Sequence, residues 1–315
     1  MKITIVTPAG AGARTGNRHT AQRWATMLRA AGHKVGVATE WDRTPADVLF
    51  ALHARRSHSS VLRYRQAYPV GKLVVVLTGT DLYRDIRYDA DAQLSMKLAQ
   101  RLVVLQDEGL KELPRQFRAK TRVVYQSAQV RTPAIPPKKM FRVCVVGHLR
   151  EEKDPFRAVL ALKLMPPGED IELVQLGEAT TPALAAQAKA LMTHNPRYRW
   201  LDGLPHSRAL DWLGRSHLMV ISSRMEGGAN VIAEAVCAGV PVLASAIPGN
   251  IGMLGSDYPG YYPQGDEKAL AKLLAKAMRH HAYYQSLKRG IAARRHLFRP
   301  QNELASLKRL LRELA

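Results

Sequence analysis

The sequence predicts an α/β protein built from two doubly wound domains, each with a parallel sheet covered by helices. Short apolar runs of strand length alternate with segments of helical periodicity along the chain. This alternation pauses once, in a stretch near the middle that is rich in proline and lysine, and then starts again. With 315 residues, the chain is long enough to build two compact cores.

The amino-terminal domain is predicted to begin with a strand, a glycine-rich turn and a helix. Residues 3–6 form the strand and residues 8–17 the turn. Apolar residues then recur at helical spacing up to Gly32, at positions 21, 24, 25, 28 and 31. The turn lacks the Gly-x-Gly-x-x-Gly form of dinucleotide-binding proteins, so we do not expect an NAD site.

Polar residues follow the later strands of this domain, which are predicted at 34–38, 47–52, 72–77, 102–105 and 122–125. His53 and Arg55 come directly after one strand, and Thr80 and Asp81 after the next. Ligands of open α/β sheets bind at the carboxyl ends of the strands, so we expect ligand contacts there. For Gln106 and Gln126, at two further strand ends, a capping or turn role is the expected one.

The domain boundaries follow from this pattern. We assign residues 1–130 to an amino-terminal domain, 131–140 to a linker and 141–295 to a carboxyl-terminal domain, with a central cleft between the two Rossmann-like domains. Strands of the second domain are predicted at 142–146, 171–176, 198–201, 218–222 and 240–243. A final helix at 302–314 carries Leu304, Leu307, Leu311 and Leu314 on one side, and residues 296–315 are expected to pack back toward the amino-terminal domain.

The composition is that of an ordinary globular protein, with 46% hydrophobic and 23% charged residues. No apolar run approaches the roughly 18 residues of a membrane span, and the apolar start of the chain is too short for a signal peptide. Cys144 and Cys237 fall within a predicted strand and a predicted helix, which suits a reduced compartment and suggests no metal site. We therefore expect a cytoplasmic protein; the oligomeric state stays open.

The formal net charge of +21 favours anionic partners. The basic residues are spread along the chain without a recognisable nucleic-acid-binding module, so no specific nucleic-acid partner is expected. We expect some of them to line an anion-binding site. The basic carboxyl-terminal region keeps an anionic membrane surface open as an alternative.

The most informative stretch runs from Arg224 to Glu234. A Gly227-Gly228 pair precedes the predicted helix, and the glutamates Glu226 and Glu234 stand eight positions apart. Glycines let a ligand approach the backbone, and the free N–H groups of the first helical turn attract anions. Glu226 is a candidate acceptor of hydrogen bonds from a sugar, and Glu234 from a ribose.

This stretch resembles the nucleotide-sugar site of retaining GT-B glycosyltransferases, the large family-four group. The resemblance implies a GT-B fold and a UDP-sugar as a substrate. It also implies that the first glutamate contacts the donor sugar, that the second holds the ribose and that the turn between them faces the diphosphate. The donor-site residues implied within this stretch are Arg224, Glu226, Gly227, Gly228, Ala229, Asn230 and Glu234.

A second match supports the resemblance. Gly147-x-Leu149-x-x-x-Lys153 is similar to the diphosphate loop of the family, in which Lys153 offsets the charge on the departing phosphate. His148 stands where the family usually has arginine, and Arg150 is a candidate to supply that charge. Leu204 falls where family members hold the base.

A closer match appears in the amino-terminal half: residues 15–21, 77–83 and 124–127, together with residues 223–230, are similar to the selenosugar synthases of selenoneine biosynthesis. This resemblance implies selenophosphate as acceptor and UDP-N-acetylglucosamine or UDP-glucose as donor. Selenophosphate is an anion and needs its charge balanced by basic and hydroxyl groups. The candidate acceptor-site residues are Arg14, Thr15, Gly16, Asn17, Arg18, His19, Arg55 and Thr80.

The predicted catalytic residues are Glu226, Lys153, Asp81 and His53. Asp81 is a candidate general base or water activator, although a helix-cap or turn role fits its position equally well. No cofactor or metal is expected, since the sequence shows no clustered ligands and the helix terminus and Lys153 supply positive charge. The alternatives are a family-four transferase with a hydroxyl acceptor and a non-enzymatic polyanion-binding protein.

Overall fold

The computed structural model describes residues 1–13, 15–129 and 135–314. The chain forms two compact units. The first comprises Met1–Ser127, Glu226–Ala229 and Arg299–Ala315, and the second comprises Ala128–Met225 and Asn230–Phe298. The short segment Glu226–Ala229 thus belongs to the first unit, although the chain on either side of it belongs to the second.

The first unit contains a six-stranded parallel sheet in the order β2-β1-β3-β4-β5-β6. Its strands are β1 (Lys2–Val6), β2 (Lys34–Ala38), β3 (Val48–Leu52), β4 (Lys72–Val76), β5 (Arg101–Val104) and β6 (Thr121–Val123). The helices up to β6 are α1 (Gly16–Ala30), α2 (His58–Ala67), α3 (Ile86–Tyr88), α4 (Ala90–Leu98), α5 (Gly109–Glu112) and α6 (Arg115–Arg118). A π-helical turn, Asp81–Asp85, leads into α3.

Both faces of this first sheet are buried. Val48, Phe50 and Leu52 of β3 point into one core cluster, whereas Leu49 and Ala51 point into another on the opposite face. This alternation is what a parallel strand covered by helices on both sides requires. It explains why strands such as β3 and β4 are nearly continuous apolar runs in the sequence.

The second unit contains another six-stranded parallel sheet, in the order β12-β11-β10-β7-β8-β9. Its strands are β7 (Phe141–Val146), β8 (Ile171–Leu176), β9 (Tyr198–Trp200), β10 (Leu218–Ile221), β11 (Val242–Ser245) and β12 (Tyr261–Tyr262). Its helices are α7 (Arg157–Lys163), α8 (Pro182–His194), α9 (His206–Gly214), α10 (Asn230–Ala238), α11 (Pro248–Leu254), α12 (Glu267–Arg279) and α13 (His281–Arg294). The predicted fold class, with two Rossmann-like parallel sheets, is confirmed.

The strand orders locate the point at which each sheet reverses its winding. In the second unit this point lies between β7 and β10, and in the first unit it lies between β1 and β3. Loops that leave neighbouring strands in opposite directions open a crevice there, which is where doubly wound proteins bind ligands. These two positions organise the candidate sites described below.

The last helix, α14 (Pro300–Arg312), packs in the first unit. Leu307, Leu311 and Leu314 join the core cluster that contains Trp24 of α1, together with Leu310. Leu304, predicted to lie on the same apolar side, is half-buried, whereas its neighbour Glu303 is 1% exposed. Glu303 tolerates this burial because hydrogen-bond donors surround its carboxylate.

Three further elements differ from the predictions. The strand expected at 240–243 begins at Val242, because Gly239 (φ 74°) and Pro241 occupy the turn after α10. Helix α13 was not predicted, since only Leu287 and Ile291 of its fourteen residues are buried. Of the predicted linker, residues 131–134 lie outside the described part of the chain, and the structure describes residues 135–140 within the second unit.

Candidate donor and acceptor sites

The loop after β7 carries the motif Gly147-x-Leu149-x-x-x-Lys153 and is held by the strand beside it. Leu149 is fully buried, and its N–H donates to the carbonyl of Glu178 at 2.9 Å. Gly177 packs so closely that a Cβ on it would lie 2.1 Å from the carbonyl oxygen of Gly147. The backbone of the predicted diphosphate loop is therefore fixed by main-chain contacts, and His148 is half-buried within it.

Lys153 lies at the end of a short 3₁₀ turn, Glu151–Lys153, that follows the exposed Arg150. The N–H of Lys153 donates to the carbonyl of Arg150 at 3.0 Å, and its side chain is half-buried. Asp154 then adopts a left-handed conformation (φ 43°) and accepts a hydrogen bond from Arg157 at 2.8 Å. This turn brings two cations, Arg150 and Lys153, into one short segment after β7.

Arg224 joins the loop after β10 to the loop after β7. Its N–H donates to the carbonyl of Glu152 at 2.8 Å, and its guanidinium contacts the Glu151 carboxylate at 3.0 Å. The two loops therefore meet at the point where the second sheet reverses its winding. This is the position at which doubly wound sheets bind nucleotides.

Helix α10 starts at Asn230 and places Glu234 on the side that faces α9. The Oε1 atom of Glu234 lies 2.8 Å from Nε2 of His206, the first residue of α9. Glu234, the residue predicted to bind the ribose, is therefore hydrogen-bonded to His206, a pairing that the sequence did not indicate. Leu204, the predicted base-site residue, is half-buried just before α9.

In the first unit, Glu226–Ala229 packs against the carboxyl ends of β4 and β5. A Cβ on Gly227 would lie 2.3 Å from the carbonyl carbon and oxygen of Thr78, and one on Gly228 would lie 2.6 Å from Cβ of Leu105. Both glycines are therefore needed for close packing. Ala229 is buried and Glu226 is 8% exposed.

Tyr83, which sequence reasoning did not select, lies in the same region. Its hydroxyl accepts a hydrogen bond from Nε2 of Gln106 at 2.9 Å, while Oε1 of Gln106 accepts from the N–H of Gly109. Burial raises the pKa of the Tyr83 phenol, and the Glu112 and Glu226 carboxylates raise it further. Tyr83 is therefore a neutral phenol whose orientation is set by Gln106.

Asp81 is fully buried at the start of the π-helical turn and binds backbone rather than facing solvent. Its carboxylate accepts hydrogen bonds from the N–H groups of Thr78, Gly79 and Ala54 at 2.8, 2.9 and 2.9 Å. These contacts join the loops after β3 and β4. They match the turn role that was one of the two expectations for Asp81.

His53 is 2% exposed and has a left-handed backbone (φ 77°), an uncommon conformation for a non-glycine residue. Its Nε2 lies 3.0 Å from the Thr80 hydroxyl, and Nδ1 lies 4.0 Å from the Asp81 carboxylate. Burial lowers the pKa of His53, whereas the Asp81 carboxylate opposes that shift. The imidazole is therefore neutral at pH 7.

Arg55 extends from the same loop, with Nε 3.0 Å from the Asp85 carboxylate. Asp85, which the sequence analysis did not select, is 5% exposed and also lies 3.9 Å from Nε2 of His53. The segments after β3 and β4 therefore bring together His53, Arg55, Thr80 and two aspartates. Of the predicted acceptor residues, Arg55 and Thr80 belong to this cluster.

The remaining predicted acceptor residues belong to the loop after β1 and the start of α1. Thr15 and Gly16 are exposed, and Asn17, Arg18 and His19 are half-buried in the first turns of the helix. That first turn contains no acidic residue, and the Nε atom of Arg18 is buried without a hydrogen-bond partner. Arg14 lies outside the described residues. The loops after β1 and β3 flank the reversal point of the first sheet, where a ligand is expected.

No three His, Cys, Asp or Glu side chains among residues 1–13, 15–129 and 135–314 gather in a way that would hold a metal ion. Within those same ranges, every helix is too short or too polar to cross a bilayer.

Comparison with known proteins decides the family. The sequence profile of the family described as "Glycosyl transferases group 1" matches residues 128–294, which is more than half of the chain. This chain is a group 1 glycosyltransferase. The matched region spans the Gly147–Lys153 loop and both glutamates, Glu226 and Glu234.

The fold of this glycosyltransferase is similar to solved structures over its whole length. Sucrose-phosphate synthase from Thermosynechococcus elongatus has a TM-score of 0.81 at 16% identity, with 99% of this chain and 98% of that chain covered. Anabaena HepE in complex with UDP and glucose has a TM-score of 0.79 at 14% identity, with 99% and 100% covered. A glycosyltransferase from Rickettsia africae has a TM-score of 0.76 at 14% identity, with 99% and 98% covered. No curated protein sequence matches this chain.

Proposed function

We propose that this glycosyltransferase moves N-acetylglucosamine or glucose from a UDP-sugar to selenophosphate and forms a carbon–selenium bond. The observation that carries the donor half is the meeting of the β7 and β10 loops at the reversal point of the second sheet, joined by Arg224 and Glu152. HepE, whose fold is similar, was solved in complex with UDP-glucose. A nucleotide diphosphate is the ligand that such a position suits best.

The donor diphosphate would be bound without a metal ion. Lys153 and Arg150 supply positive charge in the loop after β7, and the first N–H groups of α10 supply partial positive charge. Together they would stabilise the UDP leaving group as the bond between its phosphate oxygen and the anomeric carbon breaks. Glu234, oriented by His206, would accept hydrogen bonds from the ribose.

Glu226 would accept hydrogen bonds from hydroxyl groups of the donor sugar. It suits this role because the glycines beside it are packed against β4 and β5, which limits the movement of its backbone. A fixed carboxylate holds a sugar ring in position at little entropic cost. Tyr83, a neutral phenol near Glu226, would act as a second polar group for the substrate.

The acceptor would bind in the first unit, between the loops after β1 and β3. The candidate acceptor residues lie at the start of α1 and in the loops after β3 and β4: Thr15, Asn17, Arg18, His19, Arg55 and Thr80. An anionic selenophosphate suits Arg18 and the first turn of α1, which contains no acidic residue, whereas Arg55 is already paired with Asp85; its selenium lone pair needs no general base. Selenium would attack the anomeric carbon and displace UDP, and attack of water on phosphorus would then release phosphate and leave the selenosugar. Asp81 would position the loops rather than remove a proton.

A hydroxyl acceptor is the second candidate, and His53 favours it. The imidazole is neutral, as a general base must be, and its Nε2 lies 3.0 Å from the Thr80 hydroxyl, while Nδ1 accepts a hydrogen bond from the N–H of Arg56 at 3.3 Å. A selenophosphate acceptor has no use for such a base. Replacing His53 should therefore impair transfer to a hydroxyl acceptor and leave transfer to selenophosphate unchanged.

The deciding experiment is incubation of the purified protein with UDP-N-acetylglucosamine or UDP-glucose and selenophosphate, with UDP and sugar products followed by mass spectrometry. We expect UDP release and a selenosugar in the presence of EDTA, and neither with inorganic phosphate in place of selenophosphate. UDP release that requires a hydroxyl compound would support the second candidate. Activity that EDTA abolishes and Mg²⁺ restores would overturn metal-free donor binding, and the absence of UDP release with every acceptor would overturn the proposal.

A further inference from the structure

Glu303 is a carboxylate buried within the first unit, and its environment explains how it is tolerated there. It belongs to α14 and accepts hydrogen bonds from Nε1 of Trp24 at 2.7 Å, from the N–H of Ser127 at 2.8 Å and from Nε of Arg23 at 3.0 Å. A buried carboxylate is stable only when charge and hydrogen bonds compensate its lost hydration. The partners of Glu303 supply both.

Arg23 extends this network to Gln126. The amide of Gln126 satisfies its neighbours in one orientation, in which Oε1 accepts from Nη2 of Arg23 at 3.2 Å and from the Thr20 hydroxyl. In that orientation Nε2 donates to the carbonyl oxygen of Gly228 at 2.9 Å. A continuous series of hydrogen bonds therefore leads from Glu303 through Arg23 and Gln126 to the Gly227-Gly228 turn.

The Gly228 end of the series lies in a segment with little room to move. Leu105 packs against Gly228, and Thr78 packs against Gly227. The hydrogen bond from Gln126 also fixes the orientation of the Gly228 carbonyl. It thereby restricts the peptide planes that follow Glu226. A small displacement here would move the carboxylate of Glu226 away from the substrate.

We infer that Gln126 is a positioning residue for Glu226–Ala229 and that Glu303 of the last helix orients Gln126 through Arg23. The inference rests on the proposed role of Glu226 at the donor sugar. It gives α14 a part in activity beyond covering the first sheet. The simpler alternative is that Glu303 only fastens α14 to α1.

The chain contains a matched control for that alternative. At the other end of the same helix, Glu313 contacts Arg122 and Arg101 at 2.8 and 3.2 Å. Arg101 is the first residue of β5, and Arg122 lies within β6. Their contacts with Glu313 do not lead to Gly228. A Glu313→Gln change therefore loosens α14 without touching the proposed series.

Gln126→Glu is the sharpest test. A carboxylate still accepts from Arg23 and Thr20, but it has no N–H to donate to Gly228. We expect kcat for UDP-sugar to fall about 10- to 100-fold, as expected for a misplaced reacting group, while UDP affinity measured by calorimetry changes less than about twofold. Amide hydrogen exchange in a peptide that covers Glu226–Ala229 should become faster.

Glu303→Gln and Arg23→Met should accelerate the same exchange and lower kcat in the same direction. Glu313→Gln should lower the melting temperature while leaving exchange in Glu226–Ala229 and kcat as in the wild type. Arg23 is partly exposed, so its variant provides a measurement if the change at buried Gln126 prevents folding.

Hydrogen exchange tests the positioning role of Gln126 independently of the proposed function. Faster exchange in Gln126→Glu together with a wild-type enzyme that does not use UDP-sugars would support the positioning role and contradict the proposed function. Wild-type exchange in Gln126→Glu and Arg23→Met would overturn the positioning role. Equal effects of Glu303→Gln and Glu313→Gln on exchange and kcat would also overturn it, because both would then act by loosening α14.

Discussion

Glu226 and Glu234 are eight residues apart in the sequence, yet the structure gives them different environments. Glu226 belongs to the first unit, is 8% exposed and directly precedes Gly227, which packs against Thr78. Glu234 belongs to the second unit, lies within α10 and has His206 as its partner at 2.8 Å. The packing of Gly227 limits the movement of the backbone beside Glu226, and His206 orients the side chain of Glu234.

This difference indicates different tasks for the two glutamates. A carboxylate fixed through closely packed backbone suits a position near the reacting sugar, where small displacements are costly. A carboxylate on a helix surface, oriented by one histidine, suits a group that only contributes affinity. Substitutions at and around the two glutamates test whether Glu226 acts on the reacting sugar and Glu234 on affinity alone.

Glu226→Ala should lower kcat about 10- to 100-fold and change UDP affinity little. Removing a charged hydrogen-bond partner of a substrate costs roughly 1.5–3 kcal/mol, and each 1.4 kcal/mol corresponds to a tenfold change. Steady-state kinetics with UDP-sugar and calorimetry with UDP provide the two measurements. Wild-type kcat in this variant would remove Glu226 from the donor site.

Gly227→Ala should reduce activity about tenfold or more even though Glu226 is retained. The new Cβ would lie 2.3 Å from the Thr78 backbone, so the segment must shift. Such overpacking also costs roughly 1–3 kcal/mol of folding free energy, which thermal denaturation measures. Gly36→Ala is the control, because a Cβ at Gly36 meets nothing within 4 Å.

Glu234→Ala should raise KM for the UDP-sugar about tenfold and leave kcat close to the wild-type value, because the loss is in binding alone. His206→Gln retains a donor that can reach Glu234 and should have a smaller effect. If Glu234→Ala lowered kcat as strongly as Glu226→Ala, the distinction between the two positions would be wrong.

His53→Asn should change the pH dependence of stability, which is the smallest effect expected. Because burial lowers the pKa of folded His53, the unfolded chain takes up a proton first as the pH falls through about 6.5, and stability is lost there. Asparagine tolerates the left-handed backbone of this position. Between pH 7.5 and 5.5, the melting temperature should fall less in the variant, by roughly a few degrees. Identical pH slopes would contradict a depressed pKa.

The proposed donor site could be predicted from the sequence because most of its residues lie in two short segments. Glycines, a helix start and cations within a few positions of one another are visible without any tertiary information, as in Gly147–Lys153 and Arg224–Asn230. The pairing of Glu234 with His206 could not be predicted from the sequence, since it joins two helices separated by a strand. Tyr83 and Asp85 were missed because a single aromatic or acidic residue after a strand has no distinctive pattern.

The sequence predicted the two parallel sheets, since apolar runs and glycine turns recur with the spacing of strands and helices. It also determined the family, through short motifs whose residues are neighbours in the chain. The folded chain was needed to show that Glu226–Ala229 packs with the first unit, that Asp81 binds three backbone N–H groups and that Glu303 is buried. The physical reason is that these positions depend on hydrogen bonds between residues up to 280 apart, which periodicity along the chain does not encode.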